Sequence, residues 1–83
     1  MVSTLQETVE LMNSSDYKER FKAEYYQLEY RLEKLLKMMK DWDEGNLSFE
    51  PTCPKSWYHK QIKAMDEYLH ILKRRAKKEN VEL

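Results

Sequence analysis

Aromatic rings and cations are the side chains of this 83-residue sequence with the clearest potential for ligand binding. The sequence contains six Tyr, two Trp and two Phe, and ring faces of this kind can stack on nucleobases. The same rings also fill cores and interfaces, so each has a packing interpretation beside the binding one. Rings that lie next to cations are therefore the strongest candidates for a nucleotide site.

The run KRRAKK at residues 73–78 is the strongest charge feature. A solvated helix end explains such a run, because cations suit the negative end of the helix dipole. If a ligand carries phosphates, Arg74 and Arg75 are the better candidates, since a guanidinium makes two parallel hydrogen bonds to an anion. Duplex nucleic acid is not an expected partner, because Lys plus Arg and Asp plus Glu each number 15.

The sequence offers no arrangement that suits catalysis or metal binding. His59 and His70 are eleven residues apart on one predicted helix, which separates them by about three turns. No base is placed beside Cys53, the single cysteine, and one Gly cannot form a phosphate-binding loop. We expect no catalytic residue, no metal site, no cofactor and no enzymatic activity.

Two helices with heptad spacing must position these side chains. Between Phe21 and Trp42, apolar residues recur at steps of 4, 3, 4, 3, 4 and 3, which predicts a helix over 16–42 with Ser15 as its N-cap. A second seam of the same kind runs over 58–76. The two seams are typical of a helical hairpin.

The remaining segments are expected to pack against this hairpin. Leu47 and Phe49, in the connection DEGNLSFEPTCP, are expected to fold back onto the helices. Upstream, apolar residues at steps of 3, 4 and 3 from Val2 to Met12 predict a short amphipathic helix over 4–12, which must dock on its own hairpin or on a neighbouring copy.

The predicted fold is therefore all-α. A short N-terminal amphipathic helix and linker at 1–14 precede a long antiparallel two-helix hairpin domain at 15–83. The second hairpin helix carries a further stripe that its partner helix cannot cover, formed by Gln61, Ala64, Tyr68, Ile71 and Arg75. This surface predicts a homo-oligomer, from a dimer upward.

The distribution of charge favours antiparallel association of copies. Residues 1–53 hold 7 basic and 11 acidic side chains, whereas residues 54–83 hold 8 basic and 4 acidic ones. A lone cysteine suits the cytoplasm, and no apolar stretch approaches the roughly 18 residues of a membrane span. We expect a cytoplasmic protein with no membrane partner.

Three segments carry a family resemblance: ERFKAEYYQLEYRLEKLLKMM at 19–39, FEPTCP at 49–54 and QIKAMDEYLHILKRRA at 61–76. Over residues 16–83, the chain resembles the helical-hairpin proteins of phages that act as anti-CBASS and anti-Thoeris sponges. The resemblance implies an enzymatically inert oligomer, often a hexamer, in an infected bacterial host. Such sponges sequester cyclic di- or trinucleotides or cyclic ADP-ribose signals.

The resemblance also implies a ligand site between protomers. Its parts are an aromatic ring of the first helix and a lysine about four turns further on, and Tyr25 and Lys40 have that spacing here. Tyr68 and Arg75 are the candidate contributors from the second helix. Tyr25 also lies on the apolar seam, so a core position is its alternative role.

Two other functions stay open at this point. A small helical inhibitor would bind a host protein through its apolar helix face, and that face would remain free until the target arrives. A nucleic-acid accessory protein would use residues 73–78 on phosphate backbones, with an affinity that falls steeply with salt.

Overall fold

Helices make up the regular structure of the computed structural model, which describes residues 4–83. A 3-10 turn, Gln6–Thr8, runs directly into the short helix α1 (Val9–Met12). Two long helices follow, α2 (Tyr17–Asp43) and α3 (Lys55–Glu79). The predicted all-α architecture, with a short N-terminal helix and two long ones, is confirmed.

Polar contacts at both ends show that α2 and α3 are antiparallel. At the closed end, Lys55 Nζ lies 2.8 Å from Asp43 Oδ1. At the open end, the Tyr17 hydroxyl donates a hydrogen bond to Glu79 Oε1 at 2.8 Å. The start of α2 is therefore beside the end of α3, as in a hairpin.

The two predicted seams meet in the hairpin and form its core. Leu72 lies at the centre with no exposed surface. Val81 joins the core from beyond the helix end, because Asn80 adopts a left-handed conformation with φ 59° and the Val81 N–H binds the Ala76 carbonyl at 2.8 Å. The core residues are Phe21, Tyr25, Leu28, Leu32, Leu69, Leu72, Ala76 and Val81.

Two local predictions were wrong. The N-cap of α2 is Asp16 rather than Ser15, because Asp16 has an extended backbone and its Oδ1 accepts the Lys18 N–H at 2.9 Å. Phe49 is 56% exposed, whereas the nearby Leu47 is half-buried. A residue before a proline disfavours the helical conformation, which fits a connection that does not fold Phe49 back onto the helices.

The N-terminal segment docks on α2 of its own chain. Thr8 is 1% exposed, and its hydroxyl accepts a hydrogen bond from Gln27 Nε2 at 2.9 Å. The same hydroxyl donates to the Leu5 carbonyl at 2.6 Å, which helps to shape the 3-10 turn where a regular helix was predicted. Val2, the first residue of the predicted amphipathic pattern, lies outside the described residues.

Candidate ligand-binding site

A cleft of about 290 Å³ opens between α2 and α3 beside the N-terminal segment. Tyr68 of α3, one of the predicted ligand contacts, lines it and is 42% exposed. We call this feature the arginine–tyrosine cleft; its walls are Met12, Arg20, Ala23, Glu24, Gln27, Leu28, Arg31 and Tyr68. An aromatic ring and two guanidinium groups therefore line one cleft together with apolar side chains.

One stripe of α2 supplies the polar wall of the cleft. Arg20, Glu24, Gln27 and Arg31 follow one another at steps of 4, 3 and 4, which places them on one helix face next to the core seam. The two arginines are eleven residues apart, or about 16 Å along the axis. They place one cation towards each end of the cleft.

The N-terminal segment forms part of the opposite wall. Met12 lines the cleft, and the segment is held there by the Thr8 contact with Gln27. Arg20 Nη1 also donates to the Ser14 carbonyl at 2.9 Å. One cleft arginine is thus tethered to the linker before α2, whereas the exposed Arg31 is in none of the ion pairs found among residues 4–83.

A neighbouring cleft of about 410 Å³ shares Arg31 with the first. Lys34 is a further cation there, and its Nζ lies 5.4 Å from the centroid of the Tyr30 ring. The other lining residues are Leu5, Leu35, Met38, Gln61 and Met65. Arg31 therefore stands where two depressions on one side of the hairpin meet.

Arg74 and Arg75 lie at the open end of the hairpin, apart from these clefts. With Ile71 and Lys78 they line a shallow depression of about 490 Å³. Arg75 is already engaged: its Nη2 donates to the Tyr17 hydroxyl at 2.9 Å and its Nε to Glu79 Oε2 at 3.2 Å. Arg74 is exposed, so the two neighbours in sequence differ in their availability to a phosphate.

The contacts among Tyr17, Arg75 and Glu79 also perturb their ionisation. The hydrogen bond from Tyr17 is the main cause that lowers the pKa of the Glu79 carboxyl below its ordinary value. The same bond raises the pKa of the Tyr17 phenol. Ionised Glu79 therefore stabilises the folded state. This stabilisation is fully present at a pH above the ordinary glutamate pKa and is lost as the pH falls through the lowered pKa of Glu79.

Replacing Tyr17 with Phe is expected to raise the pKa of Glu79 towards the ordinary value, because its main cause of depression is removed. NMR titration of the Glu79 carboxyl measures the change, with Tyr30→Phe as a control that leaves this contact intact. An unaltered Glu79 pKa in the Tyr17→Phe variant would show that the phenol does not hold the carboxylate.

Tyr25 and Lys40 are not brought together within one chain. Tyr25 is 6% exposed, packs edge to face on Tyr26, and donates to Glu29 Oε2 at 3.2 Å. Burial raises the pKa of the Tyr25 phenol to about 12. Lys40 is exposed fifteen residues further on, about 22 Å along the helix axis.

Of the five predicted contacts, only Tyr68 lies in the arginine–tyrosine cleft, whereas Arg20 and Arg31 were not predicted. Their spacing with Glu24 and Gln27 is a sequence signal for a polar face beside the seam. The basic run at 73–78 is denser, and it therefore directed the prediction of phosphate contacts to Arg74 and Arg75.

The groups of the cleft are suited to binding an anion with flat rings. Guanidinium groups bind phosphates, and the Tyr68 ring offers a stacking face. Among residues 4–83, no three His, Cys, Asp or Glu side chains are grouped so as to hold a metal ion. No helix within residues 4–83 combines the length and the hydropathy of a membrane-spanning segment.

Comparison with known protein families gives a match over most of the chain. Residues 15–78 match the family model described as Sequestin. No match was found among curated proteins or among solved structures.

Proposed function

The chain belongs to the Sequestin family of sequestering, non-catalytic proteins, and we propose that it captures a cyclic nucleotide immune signal without cleaving it. The signal would be a cyclic di- or trinucleotide or a molecule of the cyclic ADP-ribose type. The biological role is then that of a phage-type anti-defence protein in the cytoplasm of an infected bacterium. By holding the signal, it keeps the downstream effector inactive.

The single observation that supports this proposal most is the arginine–tyrosine cleft. Every nucleobase has a π-face that the half-exposed Tyr68 ring can cover. The long side chains of Arg20 and Arg31 can reach inward from the two ends of the cleft towards phosphates on opposite edges of a ring-shaped ligand. The family, the ring and the two cations point to the same class of ligand.

The other predicted contacts fit the proposal to different degrees. Lys40 and Arg74 are exposed, so in an assembly each can reach a ligand held by another copy. Tyr25 donates to Glu29 and Arg75 donates to Glu79, so a ligand would have to compete with these carboxylates. We assign the first contacts to Tyr68, Arg20 and Arg31.

We also propose that the protein works as a homo-oligomer, between a dimer and a hexamer. A chain of 83 residues has little interior, and several large apolar side chains stay exposed on it. Residues 15–83 would form the shared hairpin domain. Residues 1–14 would be an added unit that shapes one wall of the cleft through Met12.

Native mass spectrometry with a panel of cyclic di- and trinucleotides and cyclic ADP-ribose isomers tests the proposal. The expected result is an oligomer that gains the mass of one panel member, intact, in a fixed ratio to chains. An oligomer that takes up no member would contradict the proposal and favour the alternative function, an inhibitor that binds a host protein through its apolar helix face.

A further inference from the structure

A largely apolar stripe on α3 flanks the seam that packs on α2, and its side chains are exposed. Trp57, Gln61, Ala64, Tyr68 and Ile71 follow one another at steps of 4, 3, 4 and 3, the same heptad spacing as the inner seam. Trp57 is 61% exposed, Tyr68 42% and Ile71 53%. Helix α3 thus carries two adjacent seams. Helix α2 covers one, and the exposed one has the spacing that packing against another helix requires.

Charges beside the stripe indicate which helix fits it. Lys60 and Glu67 border the stripe on the same side, seven residues apart, and both are exposed. Neither takes part in the ion pairs found within residues 4–83. In a parallel pair of α3 helices, Lys60 would face the uncharged Met65 of the other copy. An antiparallel copy instead places Lys60 against Glu67, and by symmetry does so twice.

We propose that a second copy of this chain packs its α3 antiparallel on this stripe, about a two-fold axis near Ile62 and Lys63. When Lys60 lies beside Glu67 of the second copy, the stripes of the two helices pack in layers. Trp57 of one copy then lies opposite Tyr68 of the other, and Gln61 lies opposite Ala64. The small Ala64 allows the helices to approach closely. This proposal rests on the self-association within the proposed function and adds its surface and its symmetry.

The pairing also completes the candidate site. Tyr68 belongs both to the stripe and to the arginine–tyrosine cleft. In the proposed register, Trp57 of the second copy lies against Tyr68 at the rim of that cleft. Each cleft of the dimer therefore gains a second aromatic ring from the other chain at its rim, and a base stacked on Tyr68 would also meet the edge of that ring.

Charge reversal tests the register without disturbing packing, because Lys60 and Glu67 are both exposed. The Lys60→Glu variant sets two carboxylates against each other in each pair, and the Glu67→Lys variant sets two ammonium groups against each other. Each variant alone should weaken association about tenfold, since two favourable pairs become two repulsive ones. An equal mixture of the two variants should recover much of the association. In the mixed dimer both pairs again join opposite charges: one pair is that of the unaltered protein, and in the other the two charges have exchanged places. Sedimentation equilibrium measures the dissociation constants.

Lys73→Glu is the matched control, because it makes the same charge change on the opposite face of α3 and should leave association unaltered. Circular dichroism verifies that each variant is helical. If the unaltered protein is a monomer, both the self-association and this surface are overturned. If it associates but all three variants behave alike, only the surface is overturned, and ligand uptake by mass spectrometry still decides the proposed function separately.

Discussion

Replacing Leu72 with Ala is expected to lower the free energy of unfolding by about 3 to 4 kcal/mol. Leu72 is completely buried among the residues of both seams, and truncation would leave a cavity where α2 and α3 meet. Small domains are stable by only about 5 to 15 kcal/mol, so much of the protein would unfold under mild denaturant. Urea titration followed by circular dichroism, at fixed protein concentration, measures the loss.

Leu36→Ala is the control for this experiment, because it makes the same truncation on α2 at a side chain that is 47% exposed. Its effect should stay within about 1 kcal/mol. Equal losses in the two variants would contradict the assignment of Leu72 to the centre of the core.

Replacing Arg31 with Glu is expected to weaken binding of the captured cyclic nucleotide by about 100-fold or more. Arg31 lines both clefts, so the change removes a charge-assisted contact worth about 1.5 to 3 kcal/mol and adds repulsion towards phosphate. The side chain is exposed, so folding should be unaffected. Isothermal titration calorimetry, with the panel member that the unaltered protein takes up, gives both affinity and stoichiometry.

Arg31→Lys should retain part of the affinity, because lysine keeps the positive charge but cannot make the bidentate hydrogen bonds of a guanidinium. Lys73→Glu, which changes the net charge of the chain by the same amount as Arg31→Glu, should bind as the unaltered protein does. If Arg31→Glu binds normally, the ligand does not occupy either cleft that this residue lines.

The fold could be predicted closely because the apolar residues on the buried face of a helix recur in the sequence at a fixed spacing. The seams from Phe21 and from Tyr58 are the surfaces that meet in the structure. Local details were less predictable. Whether Ser15 or Asp16 caps α2 depends on which residue has the extended backbone, and both are good capping residues by type.

The candidate site was harder to predict, because it depends on contacts between distant segments. Arg75 looked free in a basic run, but it is held by Glu79, four residues on, and by Tyr17, 58 residues earlier in the chain. Arg20 and Arg31 become cleft residues only because the N-terminal segment and Tyr68 lie on their side of the hairpin. Helix spacing defines a face but does not say which other segment will lie beside it.

Recovery of the signal after capture tests whether the protein sequesters it without cleavage. The protein is mixed with the cyclic nucleotide that it takes up, free ligand is separated by ultrafiltration, and the retained fraction is then denatured and chromatographed. We expect the signal to disappear from the filtrate in a fixed ratio to chains and to return unchanged after denaturation. A signal that stays in the filtrate, or one that returns as a linear product, would contradict it.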